Sequence, residues 1–283
     1  MKVQFDCYPC FVRQALLALK LCLKDKATIE FHLKSLMPFI AGIDTTQTPA
    51  HATTVMHRRI RQLLGADPFG EIKRQYNQKA LALYESMNKR VIESQDPLWT
   101  SSRLAIAGNI IDFSIFTAVD MEDSISRALT ESLAVDDFLS FRQAVHSAET
   151  ILYLVDNAGE IVFDRLLIDV LYGLGKDVIV AVKGQVVIND ATMTDALEAG
   201  MGSGYTLVDN GCDAVGTILE FCSESFLRQF DKADLIVSKG QGNFETLHEL
   251  KRSNMYFLFQ TKCLAVSREL GLKEGAMLLS KNV

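Results

Sequence analysis

Ile151-Leu152-Tyr153-Leu154-Val155-Asp156-Asn157-Ala158-Gly159-Glu160 decides how this chain is read. An apolar, strand-prone run stops abruptly at Asp156-Asn157. Gly159 and Glu160 follow, and apolar positions then recur at Ile161, Val162, Leu166, Leu167 and Val170. That order predicts a buried strand, a tight turn and an amphipathic helix. Open α/β sheets bind their ligands beyond the carboxyl ends of the strands. The turn therefore places two oxygen-bearing side chains where such sheets do their chemistry.

The same alternation continues downstream. Short apolar runs at 151–155, 177–182, 205–208, 235–237 and 255–259 read as strands. Helical patterns at 161–174, 192–199, 214–221, 244–251 and 262–270 lie between and after them. Strands alternating with helices predict an α/β fold, a mostly parallel sheet covered on both faces. Upstream, residues 1–150 read as mostly helical, with segments at 10–20, 73–91, 101–116 and 135–148. Asp67-Pro68-Phe69-Gly70 is turn chemistry. The chain thus divides into a helical N-terminal region, 1–150, and an α/β region, 151–283. No Pro/Gly-rich linker marks the boundary, which leaves the helical half free to pack over the sheet.

The length of 283 residues suits one large domain or two smaller ones. Hydrophobic residues at 48% and charged residues at 23% are the balance of a globular protein. A net charge of −6 with no basic run argues against nucleic acid as the main partner. No apolar stretch approaches the ~18 residues of a membrane span. The start, Met1-Lys2-Val3-Gln4-Phe5-Asp6, lacks the apolar core of a signal peptide, so a cytoplasmic location is expected. The cysteines Cys7, Cys10, Cys22, Cys212, Cys222 and Cys263 are too sparse for a disulfide scaffold and are expected to be reduced.

Three polar clusters fall at expected strand ends: Asp156-Asn157; Asn189-Asp190, after Val186-Val187-Ile188; and Ser238-Lys239-Gly240-Gln241-Gly242-Asn243-Phe244-Glu245. Parallel-sheet geometry would bring all three to one edge. Carboxylate and amide oxygens are hard ligands suited to Mg²⁺ or Mn²⁺. A lysine beside a glycine-rich turn suits a phosphate group. Each cluster also has an ordinary reading: Asp-Asn caps helices, Thr192 with Asp195 outlines a capping box, and Lys239-Gly240 fits a solvated loop. Their coincidence at strand ends is what points to a metal-assisted site for a small phosphorylated substrate.

Asn109 and Asp112 are three apart in an apolar helical segment and share a face. They read as a buried polar pair or as side chains laid against the sheet's active edge. Cys7-Tyr8-Pro9-Cys10 is a C-x-x-C without a second ligand pair for zinc and without a preceding strand for a thioredoxin-like role. His51 and His57 share no helix face. Gly200-Met201-Gly202-Ser203-Gly204 precedes a strand, the wrong context for a dinucleotide loop. Neither a G-x-x-x-x-G-K-[ST] loop nor a Gly-x-Ser-x-Gly elbow is present.

Asp156-Asn157-Ala158-Gly159-Glu160 with Asp164, Asn189-Asp190, and Lys239 to Glu245 together resemble the damage-control phosphatase family, long labelled domain of unknown function 89. Asp6-Cys7-Tyr8-Pro9-Cys10, Ala107-Gly108-Asn109-Ile110-Ile111-Asp112 and Lys262-Cys263 resemble its short prokaryotic branch. The resemblance covers essentially the whole chain. It implies a three-layer α/β/α sandwich with a Rossmann-like sheet and an N-terminal helical region. It also implies divalent-metal-dependent hydrolysis of small phosphate monoesters, such as sugar phosphates or damaged phosphometabolites. Mg²⁺ or Mn²⁺ is the implied cofactor, with Co²⁺ or Ni²⁺ as substitutes in vitro. By motif, Asp156, Asn157 and Asp190 would be metal ligands and Lys239 would bind phosphate. Asn109, Asp112, Glu160 and Asn243 would line the site.

Direct attack by a metal-activated water fits best, because the Asp-Asn order offers no D-x-D for an aspartyl-phosphate route; whether Asp156 is only a ligand stays open. A eukaryotic branch of the family is linked to carboxyl methylation with S-adenosylmethionine, which keeps a methyltransferase as an alternative. A non-enzymatic metal- or metabolite-binding module, with Cys7 and Cys10 as a clip, is another. Substrate identity and oligomeric state are not legible in the sequence.

Overall fold

The computed structural model describes residues 1–110 and 121–282, with backbone only at 109–110 and 121–124. Seven strands form one sheet: β1 (Val135–Asp136), β2 (Thr150–Leu154), β3 (Asp177–Val182), β4 (Thr206–Asp209), β5 (Leu235–Lys239), β6 (Met255–Gln260) and β7 (Met277–Lys281). Their spatial order is β1-β7-β6-β5-β2-β3-β4. Strands β2 to β6 run parallel to one another; β7 is antiparallel to β6, and β1 is parallel to β7.

The N-terminal helices are α1 (Cys7–Cys22), α2 (Lys26–Ala41), α3 (Pro49–Leu64), α4 (Gly70–Glu93), α5 (Pro97–Ile110) and α6 (Met121–Thr130). Those interleaved with the sheet are α7 (Phe138–Ser147), α8 (Glu160–Gly173), α9 (Met193–Glu198), α10 (Glu224–Lys232), α11 (Gln241–Leu247) and α12 (Leu264–Leu270). No helix among the described residues is long and apolar enough to cross a membrane.

The central strands are apolar at consecutive positions because both sheet faces are covered. Side chains alternate between faces along each strand. Ile151, Tyr153, Val178, Val180, Val237 and Leu258 join the core under α4 to α8. Leu152, Leu154, Ile179, Ile236, Phe257 and Phe259 join the opposite core, with Phe11 and Leu19 of α1, Met56 of α3 and Phe230 of α10. The α/β/α layering follows. The N-terminal helices are shared between the faces, α1 to α3 on one and α4 to α6 on the other.

Helix α5 packs closely across α8. A Cβ on Gly108 would stand 3.0 Å from the Phe163 Cβ and 3.2 Å from the Glu160 Cγ. Only a bare backbone lets α5 settle onto the first turn of α8.

Several segments differ from sequence expectation, the unanticipated helix α10 (Glu224–Lys232) among them. Residues 135–148 hold a two-residue strand before the helix, because Asp137 N–H bonds to Leu279 O. Strand β7 was not anticipated. Residues 186–188 form no strand but lead into a turn, closed by Asp190 N–H to Val187 O at 3.0 Å with Ile188 at φ 44°. Residues 214–221 are irregular apart from a 3₁₀ turn at Leu219–Phe221. There Gly216 lies so close to α11 that a Cβ would fall 2.2 Å from Gly242 O, at φ 66°, so tertiary contact overrides helix propensity.

Candidate functional site

From β2 the chain moves outward through β3 and β4, then returns to the other side of β2 as β5 and β6. The crevice beyond the carboxyl ends of β2 and β5 is thus the topological switch point, where open α/β sheets bind ligands. Asp156-Asn157 leaves β2 at this point and Lys239-Gly240 ends β5. Gly240 has φ 82°, and a Cβ there would lie 1.9 Å from Asp156 Oδ2. The glycine admits the carboxylate as well as the left-handed backbone.

Asn189-Asp190, from the loop after β3, is fastened to the same turn through backbone. Ala191 N–H donates to Asp156 O at 2.8 Å and Ala158 N–H to Asn189 O at 2.9 Å. Asn157 and Asp190 face each other as an isolated antiparallel bridge. Asp156, Asn157, Asn189 and Asp190 form one wall of a cavity of about 440 Å³. The opposite walls come from Cys7, Cys10, Arg13 and Gln14 of α1, Thr53 and His57 of α3, Gln241 and Glu245 of α11, and Lys262-Cys263 before α12.

Behind this wall lies a buried polar relay. Asn157 Nδ2 donates to Asp156 Oδ2 at 2.9 Å and to Glu160 Oε2 at 3.1 Å. Both amide hydrogens are engaged inward, which leaves Oδ1 as the acceptor of that side chain. Glu160 Oε1 accepts from Lys239 Nζ at 2.7 Å. The same ammonium donates to Asp164 Oδ1 at 2.5 Å and Ala105 O at 2.9 Å, and Tyr153 Oη donates to Asp164 Oδ1 at 2.9 Å. Burial raises the Asp164 carboxyl to about 7, against the pull of Lys239 and with a further push from Glu160. Burial also works against the Lys239 charge, but Asp164 and Glu160 outweigh it and hold the ammonium above the usual lysine range.

Asn77 of α4 reaches the turn from the other side. Its Oδ1 accepts from Gly159 N–H at 2.7 Å, and its Nδ2 donates to Asp195 at 3.1 Å and Glu198 at 2.8 Å. Asp195 forms the expected capping box with Thr192 and pairs with Lys73 at 2.7 Å. Asn77 therefore joins the turn that carries Asp156 to the helix that follows Asp190. Lys183, at the end of β3, lies 3.3 Å from Asp190 Oδ2 and donates to Gly216 O.

Asp156, Asn157 and Asp190 are accordingly brought together at the cavity. Glu160 and Asn243, expected to line the site, stand behind it. Asn243 donates to Lys239 O at 2.7 Å and accepts from Thr217 Oγ1 at 2.7 Å. Lys239, expected to bind phosphate, is wholly buried with its three N–H bonds directed at protein oxygens. Asn109 is in the last turn of α5, its side chain outside the described residues; Asp112 also lies outside them.

Other cavity residues were not among the expected site residues: Glu245 stood only inside a motif, Cys7 and Cys10 only as a C-x-x-C or clip, and His57 shared no helix face with His51. Glu245 accepts from Gln241 Nε2 at 2.9 Å, and burial lifts its carboxyl to about 7. Its signal was its place in the motif after β5. Burial, then Arg61, drives the His57 imidazole down to about 3, so it is neutral. Burial raises the Cys7 thiol to about 11 and raises Cys10 and Cys263. The cavity thiols are therefore protonated near neutrality. Convergence of α1, α3 and α12 on the sheet edge left no signal in local pattern.

The sequence profile of the damage-control phosphatase ARMT1-like domain matches residues 3–278. A damage-control phosphatase from Pyrococcus horikoshii is 34% identical over 286 residues, covering 100% of this chain and 99% of that protein. One from Archaeoglobus fulgidus is 30% identical over 284 residues, covering 98% of each. The crystal structure of a DUF89 family protein from Pyrococcus horikoshii superposes with a TM-score of 0.92, at 33% identity and 100% coverage of both chains.

Proposed function

The chain belongs to the damage-control phosphatase ARMT1-like family, and from that premise we propose that it hydrolyses small phosphate monoesters, sugar phosphates or damaged phosphometabolites, with a divalent cation held by Asp156, Asn157 and Asp190. The observation that carries this reading is the switch-point wall. Two loops bearing these residues are hydrogen-bonded to each other and open into one cavity.

The donor set fits a hard cation. Two carboxylates and an amide oxygen suit Mg²⁺ or Mn²⁺, which leave several positions to solvent and substrate oxygens. Gly240 supplies the space for the Asp156 carboxylate, and the inward amide hydrogens of Asn157 orient its Oδ1. Among the described residues no three His, Cys, Asp or Glu side chains gather to hold a metal, in keeping with a set completed by an amide. When bound, such a cation supplies charge neutralisation at phosphate oxygens and a more acidic water.

Arg13 and Lys262 border the cavity and add positive charge for an anionic substrate. Lys239 acts in this reading as a positioning residue: it holds Glu160, which orients Asn157. Glu245, part-protonated near neutrality, is the proton source on the wall for a departing alkoxide. Residues of α1 and α3 line the cavity beside that edge.

The test is phosphate release from a panel of small phosphomonoesters after chelation, with Mg²⁺, Mn²⁺, Co²⁺ or Ni²⁺ restored singly. The expected result is metal-restored release that is absent from Asp156→Ala. No release with any metal, from folded and metal-loaded protein, would overturn the proposal.

A further inference from the structure

The loop between β4 and α10 brings together two cysteines that are not among the proposed metal ligands. Cys212 Sγ and Cys222 Sγ are 3.9 Å apart. The backbone holds them there. Ser223 N–H donates to Asn210 O at 2.9 Å. A Cβ on Gly211 would fall 2.6 Å from Ser223 Cβ, so the chain at 210–212 runs directly beside 222–223. Cys212 O accepts from Gly184 N–H at 3.0 Å and Gln185 N–H at 3.1 Å, and Cys222 N–H donates to Leu219 O at 3.1 Å. The Cys222 thiol also lies 3.4 Å from Ile218 O. Neither sulfur takes part in the proposed hydrolysis.

The two thiols are chemically unequal. Pairing with Cys222 lowers Cys212 to about 6, against burial, and the Lys183 charge helps. Cys222 is pushed upward by the same pairing. The two sulfurs titrate as a pair, and Cys212 is the one drawn toward the thiolate. Cys7, Cys10, Cys22 and Cys263 are all raised by burial.

We propose that Cys212 and Cys222 form a redox-active dithiol that hydrogen peroxide converts into an intrachain disulfide. Cys212 is buried and Cys222 half-buried, which favours an oxidant as small as hydrogen peroxide. The Cys212 thiolate attacks one peroxide oxygen, the O–O bond breaks, and the departing hydroxide takes a proton from solvent to become water. Cys212 is then a sulfenic acid. The Cys222 sulfur attacks it, the S–S bond forms, the S–O bond breaks, and the hydroxyl leaves with the Cys222 proton as a second water. The dithiol gives up two electrons and the peroxide accepts them. Closing the gap from 3.9 Å to the roughly 2.05 Å of a disulfide falls to side-chain torsion, because the backbones already lie side by side.

The consequence reaches the cavity wall, since Val215 lies between the two cysteines and lines it. The proposal stands independently of the phosphatase reading. Fully reduced, full-length protein is treated with hydrogen peroxide, alkylated and mapped by mass spectrometry. The expected result is one-to-one loss of alkylation at Cys212 and Cys222, recovered as a single cross-linked peptide, before exposed Cys22 is oxidised. Cys222→Ser, verified as folded by circular dichroism, should stop at a sulfenic acid on Cys212 that dimedone traps. Both thiols remaining alkylatable in wild type while Cys22 is consumed, or Cys212 cross-linked to a different cysteine, would overturn it.

Discussion

Gly240 and Asp156 occupy one space: a Cβ on the glycine would lie 1.9 Å from the Asp156 Oδ2 and 2.2 Å from its Cγ. The carboxylate just beyond β2 is thus seated in the gap left by the residue that follows β5. The neighbouring strands β2 and β5 build the site jointly, and neither strand end alone defines where the carboxylate points.

Gly240→Ala therefore displaces Asp156 and strains a backbone held at φ 82°. The strain costs on the order of 1–3 kcal/mol, which a domain of this size can survive. Mn²⁺ affinity measured by calorimetry is expected to drop at least about tenfold, the equivalent of ~1.4 kcal/mol. Wild-type Mn²⁺ affinity in the alanine variant would remove Asp156 from the metal set.

Lys239→Met separates a positioning role from a phosphate-binding one. Removing the ammonium leaves Glu160 and Asp164 buried without their cation, a loss of roughly 3–5 kcal/mol readable in a urea unfolding curve. If the stability of the variant matched wild type and only KM rose, Lys239 would be a substrate ligand after all.

Asn77→Ala removes the acceptor for Gly159 N–H and both donors to Asp195 and Glu198. Unpartnered buried polar groups cost about 1–3 kcal/mol each. The expected outcome is lower stability together with weaker Mn²⁺ binding, because Asn77 ties the two ligand-bearing loops. Lower stability with unchanged metal affinity would confine Asn77 to packing.

Glu245 links stability to pH. Burial raises its carboxyl from 4.5 to about 7, so the folded state binds its proton more tightly than the unfolded chain. Its stabilising contribution is complete below about pH 4.5 and is lost as pH rises through about 7, amounting to ~3 kcal/mol. Asp164 is raised in the same direction. Glu245→Gln should therefore flatten, without abolishing, the fall in urea midpoint across that window. As the proposed proton source, the same substitution should lower kcat about 100-fold. An unaltered pH slope would show that the carboxyl titrates alike in both states.

Much of the candidate cavity wall is legible in local sequence. A buried run ending in Asp156-Asn157 and a second ending in Lys239-Gly240 are local signals, and parallel topology requires their ends to share an edge. The orientation of Lys239 was not legible. A lysine beside a glycine turn looks solvated in sequence, but Ala105 of α5 and Asp164 of α8 enclose it, and both are remote in the chain. Nor did Cys263 show any spatial connection to the Cys7–Cys10 pair, although one cavity gathers all three.

The sequence by itself determined the alternation of buried strands and helices, the parallel sheet and the polar residues at its carboxyl edge. Those follow from the periodicity of side chains along a strand or a helix, which every short segment carries. Only the tertiary structure decided which of those residues face the cavity and which support it from behind. That choice rests on close approaches such as Gly240 on Asp156, Gly108 on Phe163 and Gly216 on Gly242, where the absence of a Cβ is visible in the sequence but its partner is not.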